Sequence, residues 1–121
     1  MYKAMVDWMI ANGHNVLTAH LAKPEVMAAE SIADAATVYR RDIEWINEAD
    51  VVVAEVSTPS HGVGYEIAYA VIKNKPLLCL AHDGVKVSKM ITGNDRVVFK
   101  TYQDEQSGLR AIEEFLNSPR A

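Results

Sequence analysis

The length, charge and cysteine content of this chain exclude several classes of protein. Its 121 residues, 50% of them apolar, fit one globular domain, and a net charge of −4 argues against nucleic acid polymers and anionic membranes as main partners. No apolar stretch approaches the roughly 20 residues of a membrane span, and the one cysteine, Cys79, permits no disulfide and favours a reducing compartment. We therefore predict a cytoplasmic location, or a nuclear one in a eukaryote.

The first part of the chain predicts a helix over residues 2–12, a strand over 15–21 and an Ala-rich, acidic segment over 22–34. The length of that last segment makes it a candidate lid. A doubly wound α/β domain normally opens with a strand whose following loop forms half of the ligand site. Because this sequence opens with a helix, either the fold starts unusually or the first strand and its loop are missing from it.

Helices and strands alternate through the rest of the chain. We predict strands at residues 51–53, 76–81 and 96–102, and helices at 35–48, 65–74, 87–92 and 104–117. Such alternation is typical of a parallel sheet with right-handed crossovers. The predicted fold class is α/β, a Rossmann-like (flavodoxin-like) parallel sheet with helices on both faces, in a single domain over residues 1–121.

The stretch from Ala49 to Lys75 holds the strongest candidate site. A buried strand leads into a polar segment over residues 57–64, predicted as a loop, and then into a helix with Glu66 in its first turn. Ligand sites of α/β proteins form at the carboxyl ends of such strands. A helix dipole would stabilise a Glu66 carboxylate, as a nucleophile requires, although a first-turn glutamate often only complements the dipole.

Three other carboxylates are ranked by their position in the predicted fold. Asp50 opens its strand and lies at the edge away from the site, so its predicted role is structural. Glu55 ends the same strand and could reach the site or simply leave the sheet. Asp42 has apolar neighbours on its helix, so it either points inward or belongs to the solvated face.

The polar segment offers groups that suit a phosphate. Gly62 and Gly64 would let the backbone approach a ligand, and Ser60 lies beside a helix terminus, although the same pattern also fits a tight βα turn. His20 and His61 have no ligand companions at metal-binding spacing, so we predict no metal. The sequence likewise indicates no cofactor.

The run ADVVVAEVSTPSHGVGYEIAYAVIKNKPLLCL, with DIEWI upstream and VSKMITG downstream, resembles the 2′-deoxynucleoside 5′-phosphate N-hydrolases of the nucleoside 2-deoxyribosyltransferase superfamily. The resemblance implies hydrolysis of the N-glycosidic bond of a 2′-deoxynucleoside 5′-monophosphate. It places the nucleophile at Glu66 and the acidic residue that handles the leaving base at Asp42, 24 positions earlier.

The same resemblance assigns the substrate contacts and a partner. It implies that Ser60 contacts the 5′-phosphate, that Ser88 is donated to the site of the neighbouring subunit of a homodimer, and that His20, Gly62 and Gly64 line the pocket. The family opens with a strand and a G-S-I-R-G-G type loop, and that strand is central in a sheet of order 2-1-3-4-5. We therefore expect an N-terminally truncated domain.

Other functions stay open at this point. One is transfer of deoxyribose between bases, as in the nucleoside 2-deoxyribosyltransferases, and another is hydrolysis of a ribonucleotide such as CMP. A third is a catalytically inactive nucleotide-binding module, which a missing strand would produce. The plainest alternative is a structural α/β domain.

Overall fold

The computed structural model describes residues 34–118, which form three strands and four helices. In chain order the elements are α1 (Ala35–Glu48), β1 (Val52–Glu55), α2 (His61–Ile72), β2 (Leu77–His82), α3 (Lys89–Thr92), β3 (Val97–Tyr102) and α4 (Glu105–Asn117). The elements predicted for residues 2–33, including the candidate lid, lie outside the described residues.

The three strands form one parallel sheet in the order β1-β2-β3. Val52 pairs with Leu77 in β2, and Leu78 pairs with Val98 in β3. This arrangement confirms the parallel α/β prediction and agrees with the last three positions of the predicted order 2-1-3-4-5. Because all three strands run the same way, their carboxyl ends meet at one edge of the sheet, which is where the α/β rule places a ligand.

Helices cover both faces of this sheet. Alternate strand residues point to opposite sides, so one face packs against Ile46 of α1 and Ile67 of α2. The opposite face packs against Ile112 and Phe115 of α4. Cys79 is fully buried in the first cluster, where burial raises the pKa of its thiol to about 12. The predicted layering of helices on both faces is therefore confirmed.

The helix boundaries follow from local capping. Asp34 precedes α1 and accepts a hydrogen bond from the Thr37 backbone N–H at 2.8 Å, while Asp104 and Ser107 form a reciprocal capping box at the start of α4. Helix α2 ends at Ile72, two residues before the predicted end, because Asn74 adopts a left-handed φ of 59°. The predicted short helix before Gly93 is confirmed, with Gly93 as its C-cap.

Candidate functional site at the carboxyl edge of the sheet

A network of side chains ties together the carboxyl ends of the three strands. Glu55 accepts hydrogen bonds from the Ser57 backbone N–H at 2.8 Å, from the Ser57 hydroxyl at 2.7 Å and from the Tyr102 hydroxyl at 2.5 Å. The Ser57 oxygen in turn accepts from the His82 backbone N–H at 2.9 Å. Glu55 therefore holds the start of the β1–α2 loop against β2 and β3, a structural role at the base of the site.

Tyr102 makes the stability of this network depend on pH. Burial, and then the neighbouring Glu55 carboxylate, raise the pKa of Tyr102 to about 12, above the ordinary value of about 10 for a tyrosine. Since the folded pKa is the higher one, the neutral phenol stabilises the fold fully below about pH 10, and this contribution is lost as the pH rises through about 12. The free energy of unfolding of the wild type should therefore exceed that of Tyr102→Phe by less at about pH 11 than at about pH 8. Urea titrations at the two pH values measure the free energy of unfolding of each protein. A difference between wild type and Tyr102→Phe that stays constant with pH would contradict the raised pKa of Tyr102.

The site helix begins four residues earlier than predicted. The Ser60 side chain accepts a hydrogen bond from the Val63 backbone N–H at 3.3 Å, and this N-cap starts α2 at His61. The prediction that residues 61–64 form a loop is wrong, because the cap outweighs the low helix propensity of two glycines. Glu66 consequently lies in the second turn of α2, not in the first, where the effect of the helix dipole has largely fallen off.

The two predicted carboxylates line the same cavity. This space, the carboxylate cavity, has a volume of about 350 Å³ and lies between α1 and α2; its lining residues are Tyr39, Asp42, Ile43, His61, Gly62, Tyr65 and Glu66. Asp42 is half-buried there, with 18% of its side chain exposed, so it faces the cleft and not the solvated side of α1. Glycosidases use two carboxylates of one site to divide the nucleophile and acid roles, and Asp42 and Glu66 are the candidates for such a pair here.

Two tyrosines form part of the wall of the carboxylate cavity. The rings of Tyr39 and Tyr65 meet edge to face, with centroids 6.1 Å apart, and each residue is more than half exposed. Hydrogen bonding to the Tyr65 phenol raises the pKa of Tyr39. Sequence reasoning did not assign these rings to a site, although Tyr65 directly precedes Glu66.

The predicted serines line a second cavity on the other side of the start of α2. This serine cavity has a volume of about 420 Å³, and its polar lining comprises Thr58, Ser60, His61, Lys86, Ser88 and Asn94. Ser60 and Ser88 each accept a hydrogen bond from a backbone N–H as N-caps, which leaves each hydroxyl proton available to donate to a ligand oxygen. Lys86, which sequence reasoning missed, brings a cation to the same space.

The glycines of α2 have a different role from the predicted one. Both lie within the helix; a Cβ on Gly62 would stand 3.8 Å from Glu66 Oε1, and a Cβ on Gly64 would meet nothing within 4 Å. They leave open space beside Glu66 and the serine cavity, whereas no tight backbone turn is present at either position.

The remaining candidates lie elsewhere. Asp50 is exposed and precedes β1, at the edge of the sheet opposite the cavities, which is consistent with a structural role. His20 lies outside the described residues, so its role stays a prediction.

Within residues 34–118 no group of three His, Cys, Asp or Glu side chains could hold a metal ion. No helix in this described part has the length and apolar character that crossing a membrane requires.

The parallel sheet with helices on both faces defines an α/β protein, and the two cavities at the start of α2 are its candidate small-molecule site. The sequence profile of the family described as nucleoside 2-deoxyribosyltransferase matches residues 1–111. The chain belongs to this family.

Named relatives agree with this placement, and one solved structure shares the fold. The chain is 41% identical over 117 residues to the 5-hydroxymethyl-dUMP N-hydrolase of Homo sapiens, covering 93% of this chain and 67% of that protein. A protein of Methanosarcina mazei with the provisional name 2′-deoxynucleoside 5′-phosphate N-hydrolase 1 is 34% identical over 119 residues. The match covers 97% of this chain and 74% of that protein. The fold is similar to that of the Clostridium botulinum CMP N-glycosidase, with a TM-score of 0.59 and 23% identity. The superposition covers 64% of this chain and 73% of that structure.

Proposed function

We propose that this chain hydrolyses the N-glycosidic bond of 2′-deoxynucleoside 5′-monophosphates to a free base and 2-deoxyribose 5-phosphate. The observation that carries the proposal is the carboxylate cavity between α1 and α2, which Asp42 and Glu66 both line. Membership of the family and the names of the human and Methanosarcina mazei relatives support a nucleotide N-glycosidic bond as the target.

In the proposed mechanism the two carboxylates divide the chemistry. A carboxylate oxygen of Glu66 forms a bond to C1′ as the bond from C1′ to the base nitrogen breaks, through an oxocarbenium-like transition state. Asp42, directly or through water, delivers the proton with which the base leaves. Water then attacks C1′ of the deoxyribosyl-enzyme, which releases the sugar phosphate and restores the Glu66 carboxylate.

The serine cavity supplies the proposed phosphate contacts. Ser60 and Ser88 each present a hydroxyl proton, Lys86 adds a positive charge, and Gly64 leaves the surface of α2 bare beside them. Donation from a hydroxyl to a phosphate oxygen is a charge-assisted hydrogen bond, stronger than a neutral one. The placement of His61 on both cavities indicates a path from the phosphate to the sugar around the start of α2.

Replacing Ser60 by alanine tests this phosphate contact. A lost hydrogen bond to a charged group should lower kcat/KM for a deoxynucleoside 5′-monophosphate by roughly ten- to hundredfold. The unphosphorylated deoxynucleoside is the control, because it keeps the base and sugar contacts, lacks the phosphate, and is equally affected by any damage from the lost N-cap. Base release from both substrates is measured by chromatography, and equal losses for the two would refute a phosphate role for Ser60.

One set of incubations separates the proposed activity from its alternatives. Free base should appear from a deoxynucleoside 5′-monophosphate faster than from the matching ribonucleotide, such as CMP, or from a free deoxynucleoside. Adding a second free base detects transfer of deoxyribose, which would indicate a transferase. Stabilisation of the chain by the nucleotide without base release would indicate an inactive binding module.

We further propose that the chain acts as a homodimer in the cytoplasm, with Ser88 serving the site of the neighbouring subunit. Met90, two residues after Ser88, is 86% exposed in the single chain, as expected of an apolar side chain that a partner covers. Ser88 also lines a cavity with Ser60 of its own chain, so a contribution within one chain is the alternative. A mass of one chain in sedimentation equilibrium would rule out the dimer.

A further inference from the structure

Arg41 contacts the carboxylate that the proposed mechanism uses as its acid. Its Nε and Nη2 atoms both lie 3.1 Å from Oδ1 of Asp42. The two side chains are 24% and 18% exposed, so the ion pair lies partly out of water, where charge interactions are screened less than at the surface. Arg41 does not line the carboxylate cavity itself, but it contacts Asp42, which does.

The contact requires a folded-back conformation of Arg41. Neighbouring residues on a helix point about 100° apart and do not normally face each other. The Arg41 guanidinium lies over the Trp45 ring, 4.6 Å from its centroid, one turn further along α1. Trp45 packs against the buried cluster on that face of the sheet, so the planar guanidinium rests on a fixed aromatic support and is held against Asp42.

We infer that Arg41 is a positioning residue for the reaction at Asp42, an inference that rests on the proposed function. Both nitrogen contacts go to Oδ1, which anchors that oxygen of the carboxylate beside the guanidinium. Oδ2 is then the oxygen that is oriented toward the leaving base, or toward a water that delivers the proton to the base. An error of about an ångström in the placement of a catalytic group can cost about a hundredfold in rate.

Arg41→Gln tests this role, with Arg40→Gln as the matched control. Arg40 is the preceding residue on the same helix, carries the same charge and is exposed. We expect Arg41→Gln to lower kcat for base release by about tenfold or more with KM changed much less, since the contact acts on the chemical step. Arg41→Lys keeps the charge but not the planar fork, so it should recover only part of the rate. Arg40→Gln should stay close to the wild type.

A double-mutant cycle shows whether Arg41 acts through Asp42. If it does, adding Arg41→Gln to Asp42→Asn should cause little further loss of kcat. If the effect of Arg41→Gln is independent or merely structural, the fold-losses in kcat of the two single variants should multiply in the double variant. Equal kcat values for Arg41→Gln and Arg40→Gln, or full multiplication in the cycle, would overturn the role of Arg41 while leaving the proposed function intact. A wild-type chain that releases no base would overturn both.

Discussion

Replacement of Glu66 by glutamine is expected to abolish measurable turnover while leaving nucleotide binding almost unchanged. Glutamine has nearly the same shape, so it fills the same part of the carboxylate cavity. Its neutral amide cannot form the bond to C1′ that the proposed intermediate requires. Loss of a nucleophile of this kind lowers kcat by about 10³-fold or more, with residual catalysis from the binding groups that remain.

Glu44→Gln is the matched control for this experiment. Glu44 lies on α1, the helix that carries Asp42, but it is exposed and does not line the cavity. Free base is quantified by chromatography, and binding is measured by calorimetry with the deoxynucleoside 5′-monophosphate. Full turnover by Glu66→Gln would remove Glu66 from the mechanism, and a matching loss in Glu44→Gln would show that the effect is not specific to the cavity.

The second large effect is expected on stability, from Ile112→Ala in α4. Ile112 is fully buried and packs α4 against the face of the sheet formed by Leu78 and Leu80. Removing its methyl and methylene groups loses their burial and leaves a cavity, at a cost of about 2–5 kcal/mol. The free energy of unfolding of a domain of this kind is only about 5–15 kcal/mol. The midpoint of urea denaturation of the variant should therefore fall substantially.

Ile72→Ala makes the same chemical change at an exposed position. Ile72 ends α2 and is 73% exposed. Its replacement should change the free energy of unfolding by less than about 0.5 kcal/mol, and the higher helix propensity of alanine acts in the opposite direction to any lost contact. Equal losses at the two positions would show that burial does not determine the cost here.

The sheet could be predicted from the sequence because its signals are local. Val51 to Val53 and Leu77 to Leu80 are continuous apolar runs, and their short length and polar flanks favour strands covered on both faces. Parallel pairing of the strands could be predicted because a helix lies between each strand and the next. The start of α2 was predicted wrongly because composition treats Gly62 and Gly64 as loop residues, whereas the Val63 backbone N–H donates a hydrogen bond to the Ser60 side chain and the helix starts at that cap.

The walls of the site were less predictable, because they depend on packing between elements. The spacing of Asp42 and Glu66, read through a family resemblance, predicted two carboxylates for the site, and the structure brings both to one cavity. Nothing in that spacing indicates that Tyr39 meets Tyr65 or that Arg41 folds back over Trp45. Such contacts arise from side-chain rotamers and helix orientation, which no sequence periodicity records.

The bare surface of α2 at Gly62 has a consequence for engineering. An alanine there would fit without a clash, since its Cβ would lie 3.8 Å from Glu66 Oε1 and 3.9 Å from Ser60 Oγ. Alanine has a higher helix propensity than glycine, so a search for heat-resistant variants would favour it at this position in the first turn of α2. Under the proposed function, the added methyl group would lie beside the Glu66 carboxylate and take up space that the substrate needs. Thermal selection and selection for turnover would therefore drive this position in opposite directions.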